Sequence, residues 1–206
     1  MGENTTASRG VLGRARGFVA GRPATQKVGG GVAAALLASA PFGGLASTPE
    51  PGPEPLRLDQ PIMVGPYKVV IDQVVEIPDL APAVKPEPPE RLLLLDAEVT
   101  LTGDRPEYAV TLTQNLHVAG GDVEVSTQPE LYFVEDGTQP RSFNPGITYR
   151  LAITWTTSGG WQGDTAEVSA DLVEFREEDR ATLNPNAWVG RDEILWQGTL
   201  PVVRRS

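Results

Sequence analysis

Beyond Leu56, apolar and polar side chains alternate with a period of two, which is the pattern of strands that bury one face. The alternation is clearest from Ile147 to Thr157, where the odd positions are mostly large apolar residues and the even positions are Thr, Arg and Ala. A helical pattern is hinted at only in residues 174–187, where Pro185 would end the helix. The alternation predicts eight strands: 67–76, 92–102, 108–118, 123–126, 130–134, 147–157, 166–175 and 194–203.

Short turn signals rich in Gly, Asp, Asn and Pro separate these strands. About eight strands at this spacing favour a sandwich or a barrel over βαβ units, so the fold class is predicted to be all-β. The proline-rich stretch 78–89 is too long for a tight turn. We expect it to be a surface excursion between the first two long strands.

The turn in residues 143–149 resembles a chain corner that recurs in one class of β-domains. Phe143 is followed by Asn144, then by Pro145-Gly146, and Tyr149 comes three residues after the glycine at the start of an alternating strand. This segment resembles the E–F corner of fibronectin type III and related Ig-like domains. There the turn brings the tyrosine hydroxyl back to an upstream backbone group while the ring fills the edge of the core.

The order of strands and turns is also similar to that of small exported bacterial domains of the DUF4352 kind. The resemblance implies an Ig-like antiparallel β-sandwich of about 7–9 strands, preceded here by one N-terminal hydrophobic helix. It also implies a binding or spacer module, although a fold alone does not specify a ligand. The cysteine pair of true immunoglobulin domains is missing, so no antibody-like function is implied.

The N-terminal region has the charge distribution of a membrane-inserted segment. Residues 28–46 form 19 positions without a charge, which is about 28 Å of helix and close to the thickness of a hydrocarbon core. Residues 1–27 carry a net charge of +4, which predicts a basic cytoplasmic tail. The apolar run is either a transmembrane anchor or the hydrophobic region of a signal peptide cleaved near Ala46. A soluble Gly/Ala-rich tail is the third interpretation.

Residues 47–56 are predicted to be a proline-rich linker, because closely spaced prolines favour an extended spacer. The same stretch would also serve as a disordered mature N-terminus. Residues 57–206 are predicted to be the Ig-like domain. The expected localisation is therefore the cell membrane, single-pass with the C-terminal domain outside, or the secreted fraction after cleavage.

Charge and composition narrow the function. Residues 28–206 carry a net charge of −14, which repels phosphate backbones and argues against nucleic-acid binding. The chain has no cysteine and one histidine, so no thiolate chemistry is possible, and neither a metal site nor a cofactor is predicted. Acidic runs such as 177–179 lack the ligand spacing of an EF-hand.

Catalysis is not predicted. The chain has no Gly-x-Ser-x-Gly elbow, and the single histidine, His117, falls on the outward face of a predicted strand among Thr and Asn. We therefore interpret His117 as a solvated strand residue and expect the protein not to be an enzyme. An exported hydrolase that uses a pair of carboxylates is the third hypothesis, since the chain has many acids.

Tryptophans supply the candidate interaction sites. Trp161 lies between glycines in the loop 158–164, and Trp188 lies in the irregular stretch 184–192, whereas the other two tryptophans are expected in the core. Exposed aromatics on loops bind proteins or stack on sugars, although Trp161 can also fold back over a hydrophobic edge. The first hypothesis is contact with a protein of the membrane or bacterial cell envelope, and its rival is binding of cell-wall glycan. The candidate residues are Trp161, Gln162, Asp164 and Trp188.

Overall fold

The computed structural model describes residues 52–179 and 184–205. These residues form eleven strands and one short helix, so the all-β fold class is confirmed. The elements are β1 (Glu54–Pro55), β2 (Pro61–Val64), β3 (Tyr67–Ile77), β4 (Arg91–Leu101), β5 (Glu107–Tyr108), α1 (Val110–Thr113), β6 (Leu116–Ala119), β7 (Glu130–Phe133), β8 (Ser142–Phe143), β9 (Thr148–Thr157), β10 (Thr165–Asp179) and β11 (Asn184–Arg204).

Nine of the eleven described strands form two layers of a sandwich-like fold, and β5 and β8 pair with each other in a separate two-stranded sheet. One layer contains β1, β6, β10 and β11, and the other contains β2, β3, β4, β7 and β9. Strand β11 belongs to both, because it pairs with β10 along most of its length and then with β3 through Val202 to Arg204. Among the described strands, β11–β3 and β1–β11 are parallel, so the sheet is not purely antiparallel as predicted.

The core lies between the two layers. Alternate residues of β4 and β9 are buried there, and they pack in one cluster with alternate residues of β10 and β11, to which they have no ladder hydrogen bonds. This alternation is the predicted one, and it includes Trp155, whereas Trp196 is half-buried. The main buried side chains of these strands are Leu93, Leu95, Ala97, Val99, Leu151, Ile153, Trp155, Ala166, Val168 and Leu200.

Three predicted elements differ from the structure. The stretch 108–118 is not one strand but β5, α1 and β6, because Ala109, Leu112 and Leu116 have helical spacing and are all buried. Residues 174–187 are not helical where described, because Phe175 of β10 pairs directly with Trp188 of β11. The predicted strand 123–126 is reduced to one isolated bridge between Val125 and Thr157.

The predicted corner has the expected local contact. The backbone N–H of Asn144 donates to the hydroxyl oxygen of Tyr149 over 3.3 Å. The Tyr149 ring packs against Phe143 and Phe133, with centroid distances of 5.2 and 5.6 Å. The turn therefore ties the start of β9 to the end of β8.

The folded body begins before the predicted boundary at residue 57. Glu54 and Pro55 form β1 on β11, and the backbone N–H of Leu56 donates to the carbonyl of Gln197 over 2.9 Å. Leu56 is buried in the core, so the end of the predicted linker is part of the sandwich.

The predicted tail 1–27, the apolar run 28–46 with its predicted helix, and residues 47–51 of the linker lie outside the described residues. Across residues 52–179 and 184–205, no helix has the length and apolar character needed to cross a membrane.

Candidate functional site

Trp161 is not the exposed aromatic that its glycine-rich surroundings suggested. It is 2% exposed, and its indole ring lies so close to Gly121 that a Cβ there would be 2.4 Å from ring atom Cδ2. The ring Nε1–H donates to the carbonyl of Thr165 over 3.0 Å. Trp161 therefore folds back over the edge of the core and presents no ring face to a ligand.

A buried carboxylate holds the loop that carries Trp161. Glu76 of β3 is 3% exposed, and its Oε1 accepts hydrogen bonds of 2.8 Å from the Trp161 backbone N–H and from Arg91 Nε. Arg204 Nε lies 3.7 Å from Oε2 of the same carboxylate. A buried carboxylate is tolerated only with such partners, so this cluster fixes the loop to the sandwich.

Gln162 and Asp164 are exposed but are bonded within their own neighbourhood. The Gln162 side chain donates to the carbonyl of Gly160 over 2.9 Å, and Asp164 accepts from Arg204 Nη1 over 3.2 Å. The backbone carbonyl of Asp164 also accepts from Val202 N–H over 2.9 Å. Both candidates remain accessible to solvent on a loop whose tryptophan is buried.

The structure does not bring the two candidate tryptophans together. Trp161 contacts Glu76 near the end of β3, whereas Trp188 contacts Gly65, which precedes β3. At about 3.3 Å per strand residue, the length of β3 separates the two positions by roughly 30 Å. Trp161, Gln162 and Asp164 therefore cannot form one binding site with Trp188.

Trp188 lies on a two-stranded extension, which we call the arm and define as residues 173–179 of β10 with residues 184–190 of β11. The pairing of β6 with β10 ends at Ala170, so the arm strands pair with each other beyond that point. Phe175 lies opposite Trp188, with ring centroids 5.3 Å apart. Arg105 stacks over Phe175 at 5.3 Å from the ring centre and donates from Nη2 to the carbonyl of Asn186 over 2.7 Å.

The arm leaves aromatic surface in contact with solvent. Phe175 is 44% exposed, and Trp188 is half-buried against it. Aromatic and arginine side chains in one cluster are the composition of the energetically dominant residues in protein interfaces. Of the four residues predicted from sequence, Trp188 is thus the one that belongs to an exposed aromatic cluster, and Phe175 and Arg105 were missed.

A polar hollow of about 430 Å³ lies beside the arm. Asn115 forms part of its wall, where its Nδ2 donates to the carbonyl of Thr111 over 2.7 Å and its Oδ1 lies against Gly190. Side chains that can bond to hydroxyl groups predominate in the lining, which includes Thr111, Gln114, Asn115, Asp171, Arg191 and Asp192 together with Trp188.

His117 has a partner that the sequence did not indicate. Its Nε2 lies 2.8 Å from Oδ2 of Asp171, on the neighbouring strand β10. Within the described part of the chain, no serine or threonine hydroxyl is bonded to the imidazole, so the pair lacks the nucleophile of a catalytic triad. In residues 52–179 and 184–205 there is also no group of three or more His, Asp or Glu side chains that could hold a metal ion.

A second buried carboxylate lies on the outer face of β4. Asp96 accepts from Arg150 Nε and Nη2 over 3.0 and 2.9 Å, and from Gln73 Nε2 over 2.9 Å. Burial by itself raises the pKa of Asp96, but the hydrogen bonds from Arg150 and Gln73 outweigh it and hold the pKa below its ordinary value. Ionised Asp96 therefore stabilises the fold above about pH 4, and the stabilisation is lost as the pH falls through the lowered pKa.

Asp96→Asn is expected to lower the free energy of unfolding by about 2 kcal/mol at neutral pH, because charge-assisted hydrogen bonds are lost. The difference from the wild type should narrow below about pH 4. Urea unfolding at several pH values measures both effects.

Asp72→Asn is the matched control for Asp96→Asn. Burial and the acids Asp96 and Glu98 raise the pKa of Asp72, so its ionised form does not stabilise the fold and the loss at neutral pH should be absent. A difference for Asp96→Asn that does not vary with pH would contradict the proposed role of its charge.

Comparison with known proteins does not identify a family for this chain. No protein-family model matches the chain, and no curated protein matches it. Among solved structures, the chain is similar to an uncharacterized β-sandwich protein from Clostridium difficile 630, with 11% identical residues and a TM-score of 0.48. The match covers 74% of this chain and 97% of that chain. The fold assignment therefore rests on the strand pairing and buried core of this chain itself.

Proposed function

We propose that the protein is a non-enzymatic binding module of the bacterial cell envelope that contacts a protein partner through the arm. The observation that carries the proposal is the exposed pair of Phe175 and Trp188 with Arg105 stacked on it. Large aromatic rings supply much contact area at low conformational cost, and arginine adds directional hydrogen bonds. The arm projects this cluster beyond the last strand that pairs with β10 on its other edge.

The proposed setting is the outer side of the cytoplasmic membrane. It is supported by the uncharged run 28–46, by the net charge of +4 that precedes it and by the net charge of −14 that follows it. The protein would be a single-pass membrane protein with its C-terminal domain outside, or a secreted domain after cleavage near Ala46. The acidic body also disfavours nucleic acid as the partner.

The Ig-like type of the sandwich, similar to that of DUF4352 domains, is likewise a proposal. It is supported by the contact between the Tyr149 hydroxyl and Asn144 at the predicted corner. Ig-like domains commonly present binding surfaces at their ends, which agrees with an aromatic cluster beside the β2–β3 turn at Gly65.

A photo-crosslinking amino acid in place of Phe175, introduced in the bacterial host, is expected to give one discrete crosslinked species because the partner covers this ring. Val203 is the matched control position, since it is 48% exposed and pairs with Val75 at the far end of β3. Electrophoresis and mass spectrometry of the tagged protein identify the adduct. Equal adducts from positions 175 and 203, or none from either, would contradict a partner bound at the arm.

Cell-wall glycan is the second candidate, and the polar hollow beside Trp188 favours it. The two candidates separate because Phe175 does not line the hollow. Soluble glycan fragments would quench tryptophan fluorescence in the wild type and in Phe175→Ala but not in Trp188→Ala. A protein bound at the arm would be weakened by both substitutions.

The third hypothesis, a hydrolase that uses two carboxylates, has the least support. The two buried carboxylates, Glu76 and Asp96, each accept hydrogen bonds from an arginine. Both pairings tie the carboxylates into the fold, which favours a structural role, and the lowered pKa of Asp96 makes that carboxyl unsuited to act as a general acid. The proposal that the protein is not an enzyme is supported by this pairing.

A further inference from the structure

A partly open cavity of about 390 Å³ lies on the outer face of the layer formed by β3, β4, β7 and β9, on a different surface from the hollow. Its floor consists of Val75, Leu94 and Ala152, and its walls come from the proline-rich residues 80–83 and from residues 133–137. We call it the apolar cavity. Cavities of this volume are typical of small-molecule sites, which range from about 300 to 1,000 Å³.

The cavity exists because the strands and the loop above them leave space that neither fills. Ala152 lies between Asp96 and Tyr132 in the register of the sheet, so the smallest side chain occupies the middle of the floor. The loop is held in its own turn, since Leu80 and Val84 exchange backbone hydrogen bonds of 2.8 and 3.0 Å. Its far side already meets the opposite wall, where a Cβ on Gly137 would be 3.1 Å from the Ala83 methyl. The proline-rich loop is therefore a wall of the cavity rather than a plug.

Most polar groups around the cavity are bonded within the protein, and Glu135, which also lines it, is exposed to solvent. Asp96 is bonded to Arg150 and Gln73, and Gln73 Oε1 accepts from Arg205 Nη2 over 3.2 Å. At the other end, Asp136 accepts from the backbone and the hydroxyl of Thr138 over 2.9 and 2.7 Å. Within the described residues, no buried side-chain nitrogen or oxygen lacks a hydrogen-bond partner. A ligand is thus not required to supply a charge of either sign.

We propose that the apolar cavity binds a small, uncharged, predominantly apolar molecule. The free energy of binding would come from covering the carbon surface that the walls still expose, on Ile77, Leu80 and Val134, because the floor residues are already buried. An apolar cavity of about 150 Å³ is sufficient to bind benzene in another protein, so the space here accommodates a larger aliphatic or aromatic body. The proposal goes beyond the arm-mediated contact and does not depend on it, because the two surfaces share no residue.

The absence of cysteine from the chain makes the chemistry of the cavity directly testable. Ala152→Cys in the full chain would place a single thiol on the cavity floor, and Val110→Cys, which is 48% exposed and does not line the cavity, gives the exposed thiol for comparison. Rates of modification by uncharged N-phenylmaleimide and by a quaternary-ammonium and a sulfonate methanethiosulfonate are followed by intact mass. We expect the ratio of the rate with the uncharged reagent to the rate with either charged reagent to be at least about 10-fold higher at position 152 than at position 110, equivalent to about 1.4 kcal/mol of selectivity. Toluene should slow the reaction at 152 alone.

Ala83→Cys reports on the opposite wall and serves if the floor variant fails to fold, as judged by circular dichroism. Equal reagent ratios at the cavity and control positions would overturn the proposal, because they would mean an open surface. A preference for either charged reagent would overturn it too. Because Ala152 is 2% exposed, absence of reaction at position 152 alone would mean only that the new thiol lies beneath the cavity, and position 83 on the wall then decides. Absence of reaction at position 83 as well would overturn the proposal, because it would mean that the cavity does not admit a small molecule.

Discussion

Replacing Glu76 with alanine is expected to lower the free energy of unfolding by about 3 kcal/mol and the melting temperature by about 6–12 °C. The carboxylate is buried and accepts hydrogen bonds from Arg91 and from the backbone N–H of Trp161. Its removal leaves the buried N–H of Trp161 without an acceptor and Arg91 without its counter-charge. The magnitude is taken at the low end for a broken buried ion pair, because Arg91 is partly exposed and can be solvated. Thermal and urea unfolding measure the loss.

Two further variants test whether the loss of stability in Glu76→Ala comes from the buried carboxylate and its charge. Glu98→Ala removes an exposed carboxylate from the outer face of β4 and should change the stability by less than about 0.5 kcal/mol. Glu76→Gln keeps an oxygen that can accept from Trp161 but loses the charge that pairs with Arg91, so it should fall between alanine and the wild type. If Glu76→Ala were no more harmful than Glu98→Ala, the loop 158–164 would be held by its other contacts.

The period-two pattern was sufficient to predict the strands that have one buried face. In β9 the alternating residues Leu151, Ile153 and Trp155 pack in the main core as the sequence predicts, although Ala152 and Thr154 between them are buried as well. The pattern gave a wrong prediction in residues 108–118, where the apolar positions fit both the helical and the strand period. Leu112 and Leu116 fit both periods, and only packing onto the core selects the short helix α1.

Burial of the outer face could not be predicted from alternation. Leu94 and Ala152 occupy positions that should face solvent, yet they are buried, and Leu80, Ala83 and Val84 of the proline-rich loop pack against their cluster. The loop is separated from its contacts on β7 and β9 by some 40 to 70 residues, and no local signal in the sequence encodes such a long-range contact.

The candidate site also depends on contacts between residues that are distant in sequence, which no local signal encodes. The small and polar neighbours of Trp161 in sequence favour an exposed ring, but the surface that receives it is Gly121, 40 residues earlier. The sequence indicates Trp188 as a candidate but places its partner Phe175 at a strand end, outside the site. A pairing register that joins 175 to 188 across a hairpin is a tertiary property, so the aromatic cluster became visible only with the fold.

Gly121→Ala is expected to lower the free energy of unfolding by about 3 kcal/mol, as the sum of two separate costs. The backbone at Gly121 has φ of +69°, which costs an alanine about 1 kcal/mol. The new methyl would also lie 2.4 to 2.7 Å from three ring carbons of Trp161. That overlap forces the buried indole to shift, at about 2 kcal/mol for an overpacked core. Urea unfolding measures the total.

Gly146→Ala separates the two costs within the same chain. Gly146 has nearly the same backbone conformation, with φ of +72°, but no atom lies within 4 Å of its added Cβ. It should therefore lose only the backbone contribution of about 1 kcal/mol. Because the indole of Trp161 is displaced only in Gly121→Ala, its fluorescence emission should shift to longer wavelength in that variant alone. Equal losses in the two variants, without a shift in emission, would mean that Trp161 does not pack on Gly121, and the loop 158–164 would regain its place as a candidate binding surface.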